Sequence, residues 1–343
     1  MKTPDYSKYI KTSFAIAKKN KWLWIFGALV GAGNNLSFDW ISDLAKSKVN
    51  DKPAPENLFS LPETSAKVLG SATDAIKDWV YHVPFHKWVM LVVLLIVLVA
   101  IGITAVVIIQ NWARASLIKS VNKALSGKEV TLQNSSPEGF KYLKKMVLLS
   151  LLIFSLTLGL MVAVPLFWVG IYFVVQSVTI LKILWFIVGG LLALIIFLIT
   201  FALTTIVNIH AERFIVLKNY AVLPAFKAAF TAARRTLLPA IITGVVNFVF
   251  RIIFGIAVAF SVAVFIGLPT YLTVRAASSD LTLAIILGTA TTMAFVIFIF
   301  VATLLSAAVN VFTYSNWNQL VNDYYKNQDH DSGEKVKEDN QND

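Results

Sequence analysis

Arg251 is the charge set deepest in an apolar stretch of this 343-residue chain. At intervals of four it lines up with Thr243, Asn247, Gly255, Ala259 and Ala263, which places all six on one face of a helix. That face is small and polar, whereas the bulky Phe248, Phe250 and Phe254 lie off it. An arginine in hydrocarbon costs roughly 3 kcal/mol on insertion scales, so it persists where it meets other helices, water or an anion. Its planar fork of donors suits phosphate in particular. None of the charge-free runs contains an acid to pair with it. Two readings therefore stand: Arg251, with Asn247 and Thr243, lines an intramembrane polar site, or Arg251 snorkels to the interface or packs. The missing intramembrane carboxylate argues against a proton- or sodium-coupled pump.

Other chemistry is sparse. His82 and His86 have the spacing of a helical metal pair, but Pro84 stands between them and no carboxylate completes the set. His210 and Glu212 sit at the end of an apolar run and read as interface residues. The chain has no cysteine, so disulfide, iron–sulfur and zinc–thiolate chemistry are excluded. It has no H-E-x-x-H, G-x-S-x-G, P-loop or G-x-G-x-x-G motif. No catalytic, cofactor-binding or metal residue is assigned, and a non-enzyme is expected.

A pattern occurs three times. Phe14, Lys18 and Lys19, then Phe140, Lys144 and Lys145, then Phe230, Arg234 and Arg235 each read F-x-x-x-[KR]-[KR]. Pro4, Pro137 and Pro224 precede the three copies, as proline does at the start of a helix. The segments are amphipathic: Tyr6, Tyr9, Ile10, Phe14 and Ala17 share a face in the first, and Phe226, Phe230 and Ala233 in the third. Such helices can lie in the membrane plane, with aromatics at the acyl boundary and bases near anionic headgroups. These nine residues are the candidate lipid contacts.

The elements that carry these residues follow from hydropathy. Hydrophobic residues make up 57% of the chain and charged residues 14%, with a mean hydropathy of +0.71. Trp88–Gln110, Met146–Leu181, Ile183–Ile209 and Leu281–Leu320 are free of charge. About 20 apolar residues cross a bilayer as a helix. None of these runs alternates as a barrel strand would, so they are helices. The expected spans are 22–36, 88–110, 146–170, 184–208, 238–263 and 283–310, a six-helix all-α bundle arranged as three helix pairs. In the first, Gly27 and Gly31 offer a G-x-x-x-G face for close packing. Pro165 and Gly170 make the end of the third span uncertain.

Charge sets the expected orientation. Residues 1–21 carry six lysines, 113–145 seven basic residues against two acids, and 210–235 five against one. Residues 37–87 are balanced, six against seven. The positive-inside rule then places both termini in the cytoplasm and 37–87 outside. Tryptophans 22, 24, 88, 112 and 185 stand near span ends, as interfacial anchors do. Nucleic acid is not an expected partner, because the bases adjoin apolar spans. Asn111, Asn208 and Asn310 end the even spans and read as caps or anchors. The basic N-terminal stretch reads as part of a retained first helix rather than a cleaved signal. Residues 1–325 form one membrane domain, and the polar tail 326–343 is expected to be disordered.

The run Ser13, Phe14, Lys18, Lys19, Trp22 and Trp24, with its reduced echoes at Gly139–Phe140 and Ala229–Phe230, resembles the six-helix YciC-type membrane proteins. It is also similar to the membrane domain of some bacterial glycerophosphodiester phosphodiesterases. The resemblance implies a bacterial inner-membrane protein; their soluble phosphodiesterase barrel is absent, and no functional residue carries over. The expectation is a non-catalytic protein that contacts anionic lipids or other membrane proteins. The alternative is a permease for a small or anionic solute with Arg251 on its path.

Overall fold

A computed structural model describes residues 4–34, 84–175, 183, 185–277 and 281–339. Every regular element among them is helical. In chain order these are α1 (Tyr6–Lys19), α2 (Leu23–Asn34), α3 (Phe85–Leu125), α4 (Leu132–Val175), α5 (Gly190–Lys218), α6 (Val222–Arg235), α7 (Leu237–Val262), α8 (Leu268–Ala277) and α9 (Leu281–Asp339). Single π-helical turns, Trp185–Gly189 and Ala263–Gly267, lead into α5 and join α7 to α8.

Five helical stretches are long and apolar enough to cross a membrane: His86–Leu125, Leu132–Phe173, Trp185–Lys218, Leu237–Ala276 and Thr282–Lys326. The chain therefore has the make-up of a multi-pass helical membrane protein. The expected first span differs. Its helix, α2, is 12 residues long as described, about 18 Å, and residues 35 and 36 lie outside the described set.

The chain divides into two compact units, residues 34–107 and a second formed by 1–33 with 108–343. The described part of the smaller unit is the upstream portion of α3, where Val89–Val99 are all exposed. There Thr104 turns its hydroxyl to the Ala100 carbonyl of its own helix at 2.8 Å.

Local chemistry explains the breaks in the larger unit. Asp5 caps α1, its carboxylate accepting from the Lys8 N–H at 3.0 Å, a usual N-cap bond. Asn20 ends α1, and its side-chain amide donates to the Ile16 carbonyl. Thr236 stands between α6 and α7, and Pro239 occupies the first turn of α7, where its missing N–H is harmless. Asn219 ends α5 in the left-handed conformation at φ 59°, which asparagine tolerates well among non-glycine residues.

Two expectations are corrected. The second copy of the repeated pattern is not a separate in-plane helix. α4 begins at Leu132, five residues before Pro137, and runs through Phe140, Lys144 and Lys145 to Val175. Lys141, Lys144 and Lys145 are good helix formers, and nothing between Phe140 and Met146 breaks the ladder. Pro165 and Gly170 do not end the helix either, since a proline in a long apolar helix can be accommodated by local adjustment. α9 itself is described as helical backbone from Leu281 to Asp339. Once a helix is nucleated, each further residue gains a bond for only one residue fixed.

Packing in the larger unit gathers at one level. Ala113, Ala115, Leu117, Ile118 and Val121 of α3 are buried, as are Ala211 and Phe214–Val216 of α5 and Val311, Phe312, Leu320 and Val321 of α9. Beyond this base the helices carry exposed apolar side chains, among them Leu151–Phe173 of α4, Leu191–Phe201 of α5 and Leu283–Leu305 of α9.

The C-terminal half of α9 is the spine of the base. Asn310 donates to the Gly27 carbonyl of α2 at 2.9 Å. Asn316 donates to Asn247 of α7 at 2.8 Å and accepts from Ser13 of α1 at 2.6 Å. Asn318 donates to the Ile118 carbonyl and Asn322 to Asn122, both on α3 and both at 2.8 Å. Tyr9 of α1 donates to Asp323. Burial first, and then this carboxylate, holds the Tyr9 hydroxyl well above the usual phenol range. The G-x-x-x-G face does meet α9: a Cβ on Gly27 would lie 2.4 Å from the Ala307 carbonyl oxygen, and one on Gly31 2.6 Å from the Asn310 amide nitrogen.

Candidate functional site

The residues singled out in the sequence do not converge. Thr243 is buried, and its hydroxyl donates to the Pro239 carbonyl at 2.9 Å. Asn247 is buried and engaged by Asn316. Arg251 is exposed, so the polar stripe splits between a structural inner part and a charge facing outward. Phe250 packs against Phe312 in a tilted arrangement at a centroid distance of 4.3 Å. Arg251 therefore stands level with the end of the apolar run of α9, not in its middle.

The candidate lipid contacts divide in a similar way. Phe14, Phe140 and Phe230 are 60%, 57% and 43% exposed, and Lys18, Lys19, Lys144, Arg234 and Arg235 are exposed beside them. Arg234 lies over the Phe230 ring at 4.3 Å, and Phe140 stacks on Trp112 at 5.1 Å. Lys145 differs: its ammonium donates to the Asn219 carbonyl at 3.1 Å and to the Asn219 side-chain oxygen at 2.7 Å. It closes the C-terminus of α5, where a cation is favoured by the helix dipole. The expected apolar faces also turn inward, because Tyr9, Ala17 and Ala233 are buried in the bundle while the phenylalanines point away from it.

A different group of charges does converge. Glu212 and Arg213 follow the apolar run of α5, Arg114 follows that of α3, and Tyr314 projects from α9. Arg114 Nη1 lies 3.4 Å from Glu212 Oε1, and Arg213 Nη1 3.9 Å from Glu212 Oε2. The Arg213 guanidinium sits 5.4 Å from the centre of the Tyr314 ring. Its Nη1 also donates to the Ile209 carbonyl at 2.9 Å. Arg213 is 1% exposed. Arg251 falls within electrostatic reach of Tyr314 as well.

This group is charge-unbalanced. One carboxylate is shared by two guanidiniums, at distances longer than the 2.7–2.9 Å of a tight charge-assisted bond. The Nε–H groups of Arg114 and Arg213 are buried with no hydrogen-bond partner among the described residues. An unsatisfied buried donor costs roughly 1–3 kcal/mol, more when charged. The nearby His210 is fully buried, and its Nε2 lies 3.1 Å from the Thr236 hydroxyl. That hydroxyl already donates to the Ala232 carbonyl, so in a neutral ring Nε2 is the donor and Nδ1 the bare acceptor.

In the sequence Arg114 and Arg213 stand out only as orienting charge. A signal was present: six of the 30 basic residues are arginine, and three of those six stand around Tyr314.

A groove lined by Thr157, Leu160, Val164, Phe197, Thr200, Phe201 and Thr204 runs between α4 and α5. Thr157 and Thr204 turn their hydroxyls to their own helices, so its wall is apolar. Arg251 does not line it. No cluster of three or more metal-ligating side chains occurs among the described residues, and His82 lies outside them. No family model matches the chain, and neither a curated protein nor a solved structure matches it.

Proposed function

We propose that this chain is a non-catalytic, multi-pass protein of a bacterial inner membrane that contacts anionic lipid through basic, aromatic helix segments at its cytoplasmic side. In this reading α2 with residues beyond 34 supplies a sixth span, the spans pair into three repeats, and both termini are cytoplasmic. The observation that carries it is the outward position of Phe14, Phe140 and Phe230, each beside exposed bases on a helix whose other face is buried. An aromatic ring at the acyl boundary with cations one turn away is the pairing an anionic interface favours. The YciC-type resemblance agrees with this reading and rests on the sequence motifs alone.

The test replaces Lys18/Lys19, Lys144 and Arg234/Arg235 with glutamine in protein reconstituted into mixed vesicles. Enrichment of phosphatidylglycerol over phosphatidylcholine around the protein should fall, because each basic residue near a charged surface contributes about 1 kcal/mol. Unchanged enrichment would remove the proposal. The permease alternative would need Arg251 on a solute path; its outward side chain and the engaged Asn247 lend more support to the lipid-contact reading.

A further inference from the structure

We propose that Arg114, Arg213 and Arg251, set around Tyr314, form a single binding site for a phosphate-type oxyanion, carried by a lipid headgroup or free in solution. This goes beyond the surface contacts of the previous section and uses none of their residues.

Charge is the first argument. Two guanidiniums, Arg114 of α3 and Arg213 of α5, share one carboxylate, Glu212, at 3.4 and 3.9 Å, and the third, Arg251 of α7, stands exposed within electrostatic reach of Tyr314 beside them. A purely structural ion pair in a buried setting is stable only when geometry is close and remaining donors are satisfied. Here Nε of both Arg114 and Arg213 is buried without a partner among the described residues, although Arg213 is 1% exposed. An additional acceptor with several oxygens would satisfy both forks.

Level and access are the second argument. Arg114 follows the charge-free run that ends at Gln110, and Arg213 the one that ends at Ile209. Arg251 stands beside the Phe250–Phe312 contact, level with where the apolar run of α9 gives way to the asparagine-rich spine. The arginines thus share the height at which hydrocarbon yields to polar structure, where a phospholipid carries its phosphate. Arg251 is exposed and the Arg114 side chain is 22% exposed, so the group opens outward through these two while Arg213 closes its inner wall. The choice of arginine fits: its planar fork binds phosphate oxygens in pairs, which the point charge of lysine does not.

The experiment uses the full chain, purified and delipidated in maltoside detergent. One arm titrates inorganic phosphate by calorimetry. The other adds phosphatidylglycerol and counts retained lipid by native mass spectrometry. One equivalent should bind in at least one arm; binding of phosphate alone identifies a soluble anion, and retention of phosphatidylglycerol alone a headgroup. Arg251→Gln, an exposed change that leaves the core intact, and Arg114→Gln should each weaken binding about tenfold. Glu212→Gln should strengthen it, because the competing negative charge is gone. Lys128→Gln, an exposed change outside both groups, should leave it unchanged. Absence of saturable binding in both arms would overturn the site. So would wild-type affinity in Arg251→Gln and Arg114→Gln, or loss confined to a Lys18→Gln/Lys19→Gln variant, which would place the bound lipid on the exterior helices instead.

Discussion

Leu283–Leu305 and Ala307–Val321 are neighbouring stretches of one helix, yet they live in different surroundings. The first exposes Ile285, Met293, Ile297 and Phe300 at 60–65%. In the second, all but Ala308, Val309 and Tyr314 are buried, and Asn310, Asn316, Asn318 and Gln319 each bond to another helix. In water the apolar stretch would drive collapse, but in hydrocarbon an exposed leucine gains nothing by finding another leucine. Close backbone contact and hydrogen bonds must then hold the helices together. Glycine contacts, amide bridges and a buried charge group gather in the second stretch and its neighbours. The base specifies the structure, and the upper spans match the solvent.

The largest effect is expected at the charges. Glu212→Ala leaves Arg213 buried without its carboxylate partner among the described residues and should destabilise by about 3–5 kcal/mol, read by thermal unfolding in detergent. A loss near zero would show that the base does not depend on this group. Next comes the glycine contact. Gly27→Leu places atoms where the Ala307 carbonyl stands and should cost about 2–3 kcal/mol, whereas Gly102→Leu, with open space around its Cβ position, should be neutral. Equal effects would mean that α2 does not pack as described. Asn316→Leu removes the bridge from Ser13 to Asn247 and should cost about 1–3 kcal/mol; a double change with Asn247→Leu should cost less than the sum of the two singles. The smallest effect belongs to the upper spans. Ile297→Leu should shift stability by under about 0.5 kcal/mol, and a larger loss would point to a packed partner at that face.

How much of this was legible beforehand follows from the same division. Charge-free runs announce helices in hydrocarbon, because length and composition alone decide that question. Gly27 and Gly31 were legible as a packing face, since small residues four apart have few other uses in a span. Asn111 and Asn310 read correctly as anchors, Asn111 accepting from Ser150 at 2.7 Å. The continuity of α4 through Phe140 was not legible, because a basic pair before a span is compatible with either a break or a straight helix. The grouping around Tyr314 was hidden for a different reason. Arg114, Glu212 and Tyr314 are about a hundred residues apart in turn, and only the folded chain, in which each follows the apolar run of its own helix, sets them at one height. Arg251 seemed buried because its helix was centred on 238–263, whereas the helical stretch from Leu237 continues to Ala276 and shifts the apolar part away from it.

The chain has no native cysteine, so single cysteines can carry spin labels without background. Labels at Phe300→Cys and Ser315→Cys in lipid-reconstituted protein would compare the two stretches of α9 by collision with dissolved oxygen and with a water-soluble nickel chelate. The label at 300, 64% exposed, should collide readily with oxygen, and the label at 315, fully buried, should be shielded from both reagents. A freely accessible label at 315, or a shielded one at 300, would contradict the contrast between the two stretches.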